Sequence, residues 1–124
     1  MSTVPGAPLR RPGNGTVLRS FAGRVAAPPP SVFDAVLIRV RPVRPEGGSV
    51  STDPVAGLIV VQGGWWYRAE YRVSADPAGS RLELAIVNVA DPAHWLGPLT
   101  GRSVLRASPM AFAQLVRELE RDLV

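Results

Sequence analysis

The most regular alternation of apolar and polar residues in this chain runs from Gly64 to Ala90. Trp65, Tyr67, Ala69, Tyr71 and Val73 fall on one side of a period-two pattern; Trp66, Arg68, Glu70, Arg72 and Ser74 fall on the other. Asp76-Pro77-Ala78-Gly79-Ser80 then supplies a turn with Pro and Gly suitably placed. Beyond it Leu82, Leu84, Ile86 and Asn88 oppose Arg81, Glu83, Ala85, Val87 and Val89. Such alternation predicts two half-buried strands joined as a hairpin. With Val73 facing Leu82, Tyr71 meets Leu84, Ala69 meets Ile86 and Tyr67 meets Asn88 on the apolar face, while Arg72 meets Glu83 on the wet face. A one-residue slip would spoil every pair, so the register is specified by the pattern itself.

The remaining chain supplies elements to pack on this hairpin. Thr16–Val25 reads as a first strand with Val17, Phe21 and Val25 on one face and Leu18 and Ala22 on the other. It ends at Pro28-Pro29-Pro30, since proline cannot donate to a ladder. Ser31–Leu37 reads as a short helix with Val32, Phe33, Val36 and Leu37 as apolar neighbours and Asp34 near its positive end. Ile38–Arg44 alternates apolar and basic residues and predicts an edge strand limited by Pro42. Pro45–Pro54 is expected as a loop holding one short strand at Ser49–Thr52. Val55–Gln62 is an apolar run expected as a buried strand, turned by Gly63-Gly64. Asp91–Arg106 is broken by Gly97-Pro98 and Gly101, with one helical turn carrying His94 and Trp95. Ser108 is a favourable N-cap with Pro109 at the first helical position. From there Phe112, Leu115, Val116, Leu119 and Leu123 make a helical apolar stripe, with Arg117, Glu118, Glu120 and Arg121 outside it. That stripe can be buried only against the sheet. The expected fold is α+β, an antiparallel sheet packed on a long amphipathic C-terminal helix. Residues 16–124 form one domain, and the Pro/Gly-rich residues 1–15 a flexible tail.

Composition narrows the chemistry. A chain of 124 residues suits a single core. It contains no Cys, which excludes disulfides, thiolate nucleophiles and cysteine-ligated metals. No apolar window is long enough for a membrane helix, and no signal core opens the chain, so a cytoplasmic location is expected. The formal charge is +4, and all 14 basic residues are Arg. They are spread along the sequence, with groupings only at Arg10–Arg11 and at Arg39, Arg41 and Arg44. This reads as a solvated surface and not as a nucleic-acid footprint. Neither a cofactor nor a metal site is expected: no carboxylate cluster exists, and the Gly pairs lack the Lys and spacing of a phosphate loop.

Candidate binding residues follow from the shared faces. Trp65, Tyr67 and Tyr71 look toward the helix that carries Phe112, Leu115 and Leu119. Asn88 and Gln62 add polar groups, and Trp95 lies in the loop before that helix. Aromatic walls with a few polar groups suit a mostly apolar ligand; the same rings also suit a filled core. His94, the only histidine, has no Ser–His–Asp spacing around it. Trp66, on the wet face, reads either as part of a contact surface or as packed beneath the tail or the short helix.

Three stretches carry a family resemblance. FAGRVAAPPPSVFDAVL (Phe21–Leu37) resembles the strand, Ala-Pro and Val-Phe helix opening of the START-related helix-grip (SRPBCC) superfamily. YRAEYRVSADPAGSRLELAIV (Tyr67–Val87) is similar to that superfamily's late hairpin, and the final amphipathic helix is similar to its last one. The resemblance extends to its polyketide cyclase/dehydrase-like branch, in a shortened form. The resemblance implies a curved sheet gripping the last helix around an apolar cavity. Members bind lipids, sterols or polyketides; some cyclise or dehydrate polyketides, and some act through protein partners. The stretch from Leu37 to Val55 is too short and too rich in Pro and Gly for that superfamily's second short helix and seven strands. The cavity is therefore expected to be small, open or collapsed. Three functions are consistent with this reading. The first is binding of a small hydrophobic ligand, lipid or polyketide-like, between sheet and helix. The second is a polyketide cyclase/dehydratase-like enzyme using Tyr67, Tyr71, Asn88 and His94. The third is an interaction module, such as a homodimer, built on Trp66 and the Arg39–Arg44 edge.

Overall fold

The computed structural model describes residues 7–42, 48–91 and 93–124. Expectations for residues 1–6, for Val43–Gly47 and for Pro92 lie outside them. The fold is α+β, a curved five-stranded antiparallel sheet with a long C-terminal helix packed on it. The elements are β1 (Thr16–Val25), α1 (Pro29–Val40), β2 (Ser49–Asp53), β3 (Leu58–Gly63), β4 (Tyr67–Asp76), β5 (Gly79–Asn88), a 3₁₀ turn at His94–Leu96, α2 (Gly97–Thr100) and α3 (Arg102–Leu123). The strand order is β1-β5-β4-β3-β2. No helix among the described residues is long and apolar enough to cross a membrane.

The hairpin forms in the register its side chains dictate. Val73 pairs with Leu82, Tyr71 with Leu84, Ala69 with Ile86, Tyr67 with Asn88 and Arg72 with Glu83. The turn is tightened by the Asp76 carboxylate, which accepts the Ala78 N–H at 2.9 Å. Trp65 does not belong to β4; it sits in the turn before it and is exposed. The inner face of the sheet is buried under α1 and α3. Val32, Val36, Ile59, Leu82, Ile86 and Leu119 form the centre of this core. The Phe21 and Phe112 rings stack 5.5 Å apart, joining β1 to α3.

Several boundaries differ from the sequence reading. β1 carries a bulge at Leu18, between the pairs Val17–Val87 and Arg19–Ile86. The extra residue shifts the alternation, so Val17 is exposed while Leu18 turns to the core. The strand expected at Ile38–Arg44 is absent over its described part, because α1 continues to Val40. Val36 and Val40 extend the helical face, and Arg39 is tied to α3 by ion pairs with Glu118 and Asp122. α1 stops at Arg41, which takes an extended conformation, as a residue before proline does. β3 begins at Leu58, not Val55, whose side chain is 99 % exposed.

α3 begins at Arg102, so Ser108 is not its N-cap and Pro109 lies inside it. Pro109 cannot donate to the Leu105 carbonyl one turn back. The Ser108 hydroxyl donates to that carbonyl instead, at 2.7 Å. This local substitution lets the helix run through the proline.

Residues 7–15, expected as part of a flexible tail, lie across the outer face of the sheet as a strap. Arg68, expected on the wet face, is fully buried beneath it. Its guanidinium donates to the Pro8 carbonyl at 2.6 Å, the Leu9 carbonyl at 3.1 Å and Glu70 at 2.7 Å. Arg11 reaches Glu70 from the strap with two hydrogen bonds, and Ser51 donates to the Ala7 carbonyl. Asn14 fastens the strap's far end to the Val89 and Ala90 carbonyls. Burial disfavours the Glu70 carboxylate, but Arg11 and Arg68 together outweigh that and hold it below the usual carboxylate range. The strap explains the continuous apolar run of β3: Ile59 is covered by the helices, Val60 by the opposite layer, and both are fully buried.

Candidate functional site

A cleft of about 520 Å³ opens between α3, the end of α1 and the inner face of β4 and β5. It exists because of side-chain size. α3 presents Ala107, Ser108 and Ala111 where larger residues would meet the sheet. Tyr67, Tyr71, Leu84 and Ile86 form the floor, and Phe112 and Leu115 close one wall. The mouth carries Arg39 and Glu118, paired with each other at 3.7 Å. Arg39 also pairs with Asp122, so its charge is locally offset.

The polar groups on the floor are the two phenols. Among the described residues no buried side-chain oxygen or nitrogen lacks a partner. Tyr67 and Tyr71 donate to no described residue, so their hydroxyls open into the cleft. Burial raises the pKa of Tyr67. Tyr71 is raised further, by burial first and then by the neighbouring Tyr67. Both therefore stand as neutral hydrogen-bond donors well above physiological pH.

This has a measurable consequence. In the unfolded chain both phenols ionise near about pH 10. The folded state keeps its protons to higher pH and so binds more of them there. Stability fully present below about pH 10 is lost above it, by at most about 1.4 kcal/mol per pH unit for each tyrosine. Melting temperatures measured from about pH 8 to about pH 11 should fall more steeply for the native protein than for a Tyr67→Phe/Tyr71→Phe variant. Parallel curves would show that the phenols are not desolvated.

Of the residues singled out in the sequence, the cleft brings together Tyr67, Tyr71, Phe112 and Leu115. Leu119 is fully buried in the core. Trp65 and Trp95 are exposed, 41 % and 70 %, and neither lines the cleft. Asn88 is buried but its amide is committed to the loop after β5: it donates to the His94 carbonyl at 2.6 Å and accepts the Ala90 N–H at 3.1 Å. Gly97 packs directly on it. His94 also serves this loop. Its Nδ1 faces the Ala90 carbonyl at 3.0 Å and must carry the proton there, leaving Nε2 to accept from the Thr16 hydroxyl at 2.9 Å in the neutral ring. Trp66 packs over Gly101, and its ring meets that of Tyr67 edge-on at 5.4 Å. Gly101 leaves no room for a side chain: a Cβ there would lie 2.0 Å from the Trp66 ring. Residues that the sequence reading missed are Val104, Ala107 and Ala111. Their signal was the i, i+3/i+4 spacing of small residues along α3, visible only once the helix is known to start at Arg102.

Among the described residues no group of His, Asp and Glu could hold a metal ion. No protein-family model, curated protein or solved structure matches the chain.

Proposed function

We propose that the protein binds a small hydrophobic ligand, lipid or polyketide-like, in the cleft between α3 and the hairpin. The observation that carries this reading is the floor: an apolar groove whose polar groups are two phenols with no hydrogen-bond partner among the described residues. Burying apolar ligand surface there contributes on the order of 0.8 kcal/mol per methylene. The phenols orient an acceptor such as a carbonyl or hydroxyl oxygen. Membership of the START-related helix-grip superfamily belongs to the same proposal. It rests on Phe21–Leu37, Tyr67–Val87 and α3. A polyketide cyclase/dehydratase-like reaction would have to run on Tyr67 and Tyr71 alone, since His94 and Asn88 serve the loop after β5.

Native mass spectrometry and thermal melting with lauric acid, cholesterol and emodin test the reading. A one-to-one complex with at least one probe is expected. Saturation at about 100 times Kd should stabilise the fold by about 2.7 kcal/mol. Absence of any complex and of any shift for all three probes would overturn it.

A further inference from the structure

A second cleft, of about 430 Å³, lies on another part of the molecule, between β1 and the junction of α2 with α3. Its lining is Leu18, Arg19, Pro98, Leu99, Arg102, Leu105 and Arg106. Three arginines from β1 and α3 thus border one cavity whose described lining residues include no carboxylate. Arg11, Arg24, Arg39, Arg68, Arg81 and Arg121 each have a carboxylate partner, whereas Arg10, Arg41, Arg72 and Arg117 have none among the described residues. Among the described residues Arg19, Arg102 and Arg106 form no such pair. Arg19 is steadied by its hydrogen bond to the Leu18 carbonyl at 2.7 Å, which uses one of its five N–H donors.

The placement works against the stability of α3. Arg102 opens the helix, where the dipole disfavours a cation, and the first turn holds no acidic residue. Arg106 follows at i+4, so two like charges share one face. A local arrangement unfavourable on both counts, and uncompensated among the described residues, is what a binding site for an anion looks like before the anion arrives.

We propose that this cleft binds a phosphate monoester carrying an apolar group. A carboxylate is satisfied by one guanidinium fork, whereas three guanidiniums around one cavity match a dianion with three outer oxygens. Leu18, Pro98, Leu99 and Leu105 supply an apolar wall beside them, and Leu99 is 55 % exposed. The volume is within the range of small-molecule sites. The proposal is independent of the α3–hairpin cleft and stands or falls separately from it.

Calorimetric titration with phenyl phosphate, at one fixed moderate salt concentration, provides the test. Flotation with vesicles containing phosphatidic acid provides a second arm. One-to-one binding is expected in at least one arm: phenyl phosphate alone marks a soluble ester as the source, vesicles alone a lipid headgroup. Arg19→Gln/Arg102→Gln/Arg106→Gln, all on exposed side chains, should weaken it by about tenfold or more. The control Arg24→Gln/Arg81→Gln/Arg121→Gln removes the same charge from exposed ion pairs and should stay within about twofold. Equal loss in both triple variants would show a bulk charge effect and overturn the proposal, as would absence of binding in both arms.

Discussion

Replacing Arg68 by methionine should free the strap from the sheet and lower the unfolding free energy by about 3 kcal/mol. The guanidinium is fully buried and is shared among the Pro8 and Leu9 carbonyls, Glu70 and Gln62. Methionine fills similar length but donates nothing. The two strap carbonyls then lose their donors at a partly buried position, which costs about 1–3 kcal/mol for each group left unmatched. Glu70 keeps Arg11, so the loss falls on the strap more than on the sheet. Trypsin cleavage after Arg10, slow in the native protein, should become fast, and the denaturant midpoint should fall. An unchanged midpoint with unchanged protection at Arg10 would contradict this account of the outer face.

A second large effect is expected at Gly57, between β2 and β3. Its φ is 70°, and a Cβ there would lie 2.1 Å from the Val73 carbonyl oxygen. The close approach is needed because the Gly57 carbonyl accepts the Val73 N–H at 2.8 Å, extending the β3–β4 ladder. Gly57→Ala therefore combines left-handed strain with a backbone clash, on the order of 2–5 kcal/mol. Gly64 separates the two terms. Its φ is 62°, but nothing lies within 4 Å of its would-be Cβ. Gly64→Ala should cost only the conformational part, about 1 kcal/mol. Equal losses in urea unfolding would show that the β2–β3 turn relaxes around the added methyl.

These two sites also show what the sequence made legible. The hairpin was readable to the residue because strand period, turn chemistry and the Arg72–Glu83 pairing all favour one register. The sheet-on-helix architecture followed from the stripe Phe112–Leu123, which has no other surface to cover. The strap was not readable. Its fastenings run from Arg68 to backbone carbonyls, and carbonyls leave no mark in a sequence. The start of α3 was misread because Ser108-Pro109 is the strongest local helix signal, and only the buried Ser108–Leu105 hydrogen bond reveals a helix already under way. The alternation at Ile38–Val40 imitated a strand because Arg39 faces its partners on α3, not solvent. Half of the candidate ligand residues came together because they share the hairpin's inner face or the α3 stripe. Trp65 and Trp95 failed because the aromatic cluster begins in a turn and the loop before α2 leaves its ring outside.

The cleft itself follows from what is missing. Core and cavity use the same apolar residues, and the difference lies in Ala107 and Ala111, small and exposed on α3. The most direct measurement is therefore the affinity of a hydrophobic probe for the native protein and for Ala111→Trp. This substitution fills the groove from an exposed helix position and leaves the core untouched. One-to-one binding by the native protein is expected, with a loss of about tenfold or more in the variant and its melting temperature preserved. Equal affinity in the two proteins, or a native protein that binds none of lauric acid, cholesterol and emodin, would contradict this expectation.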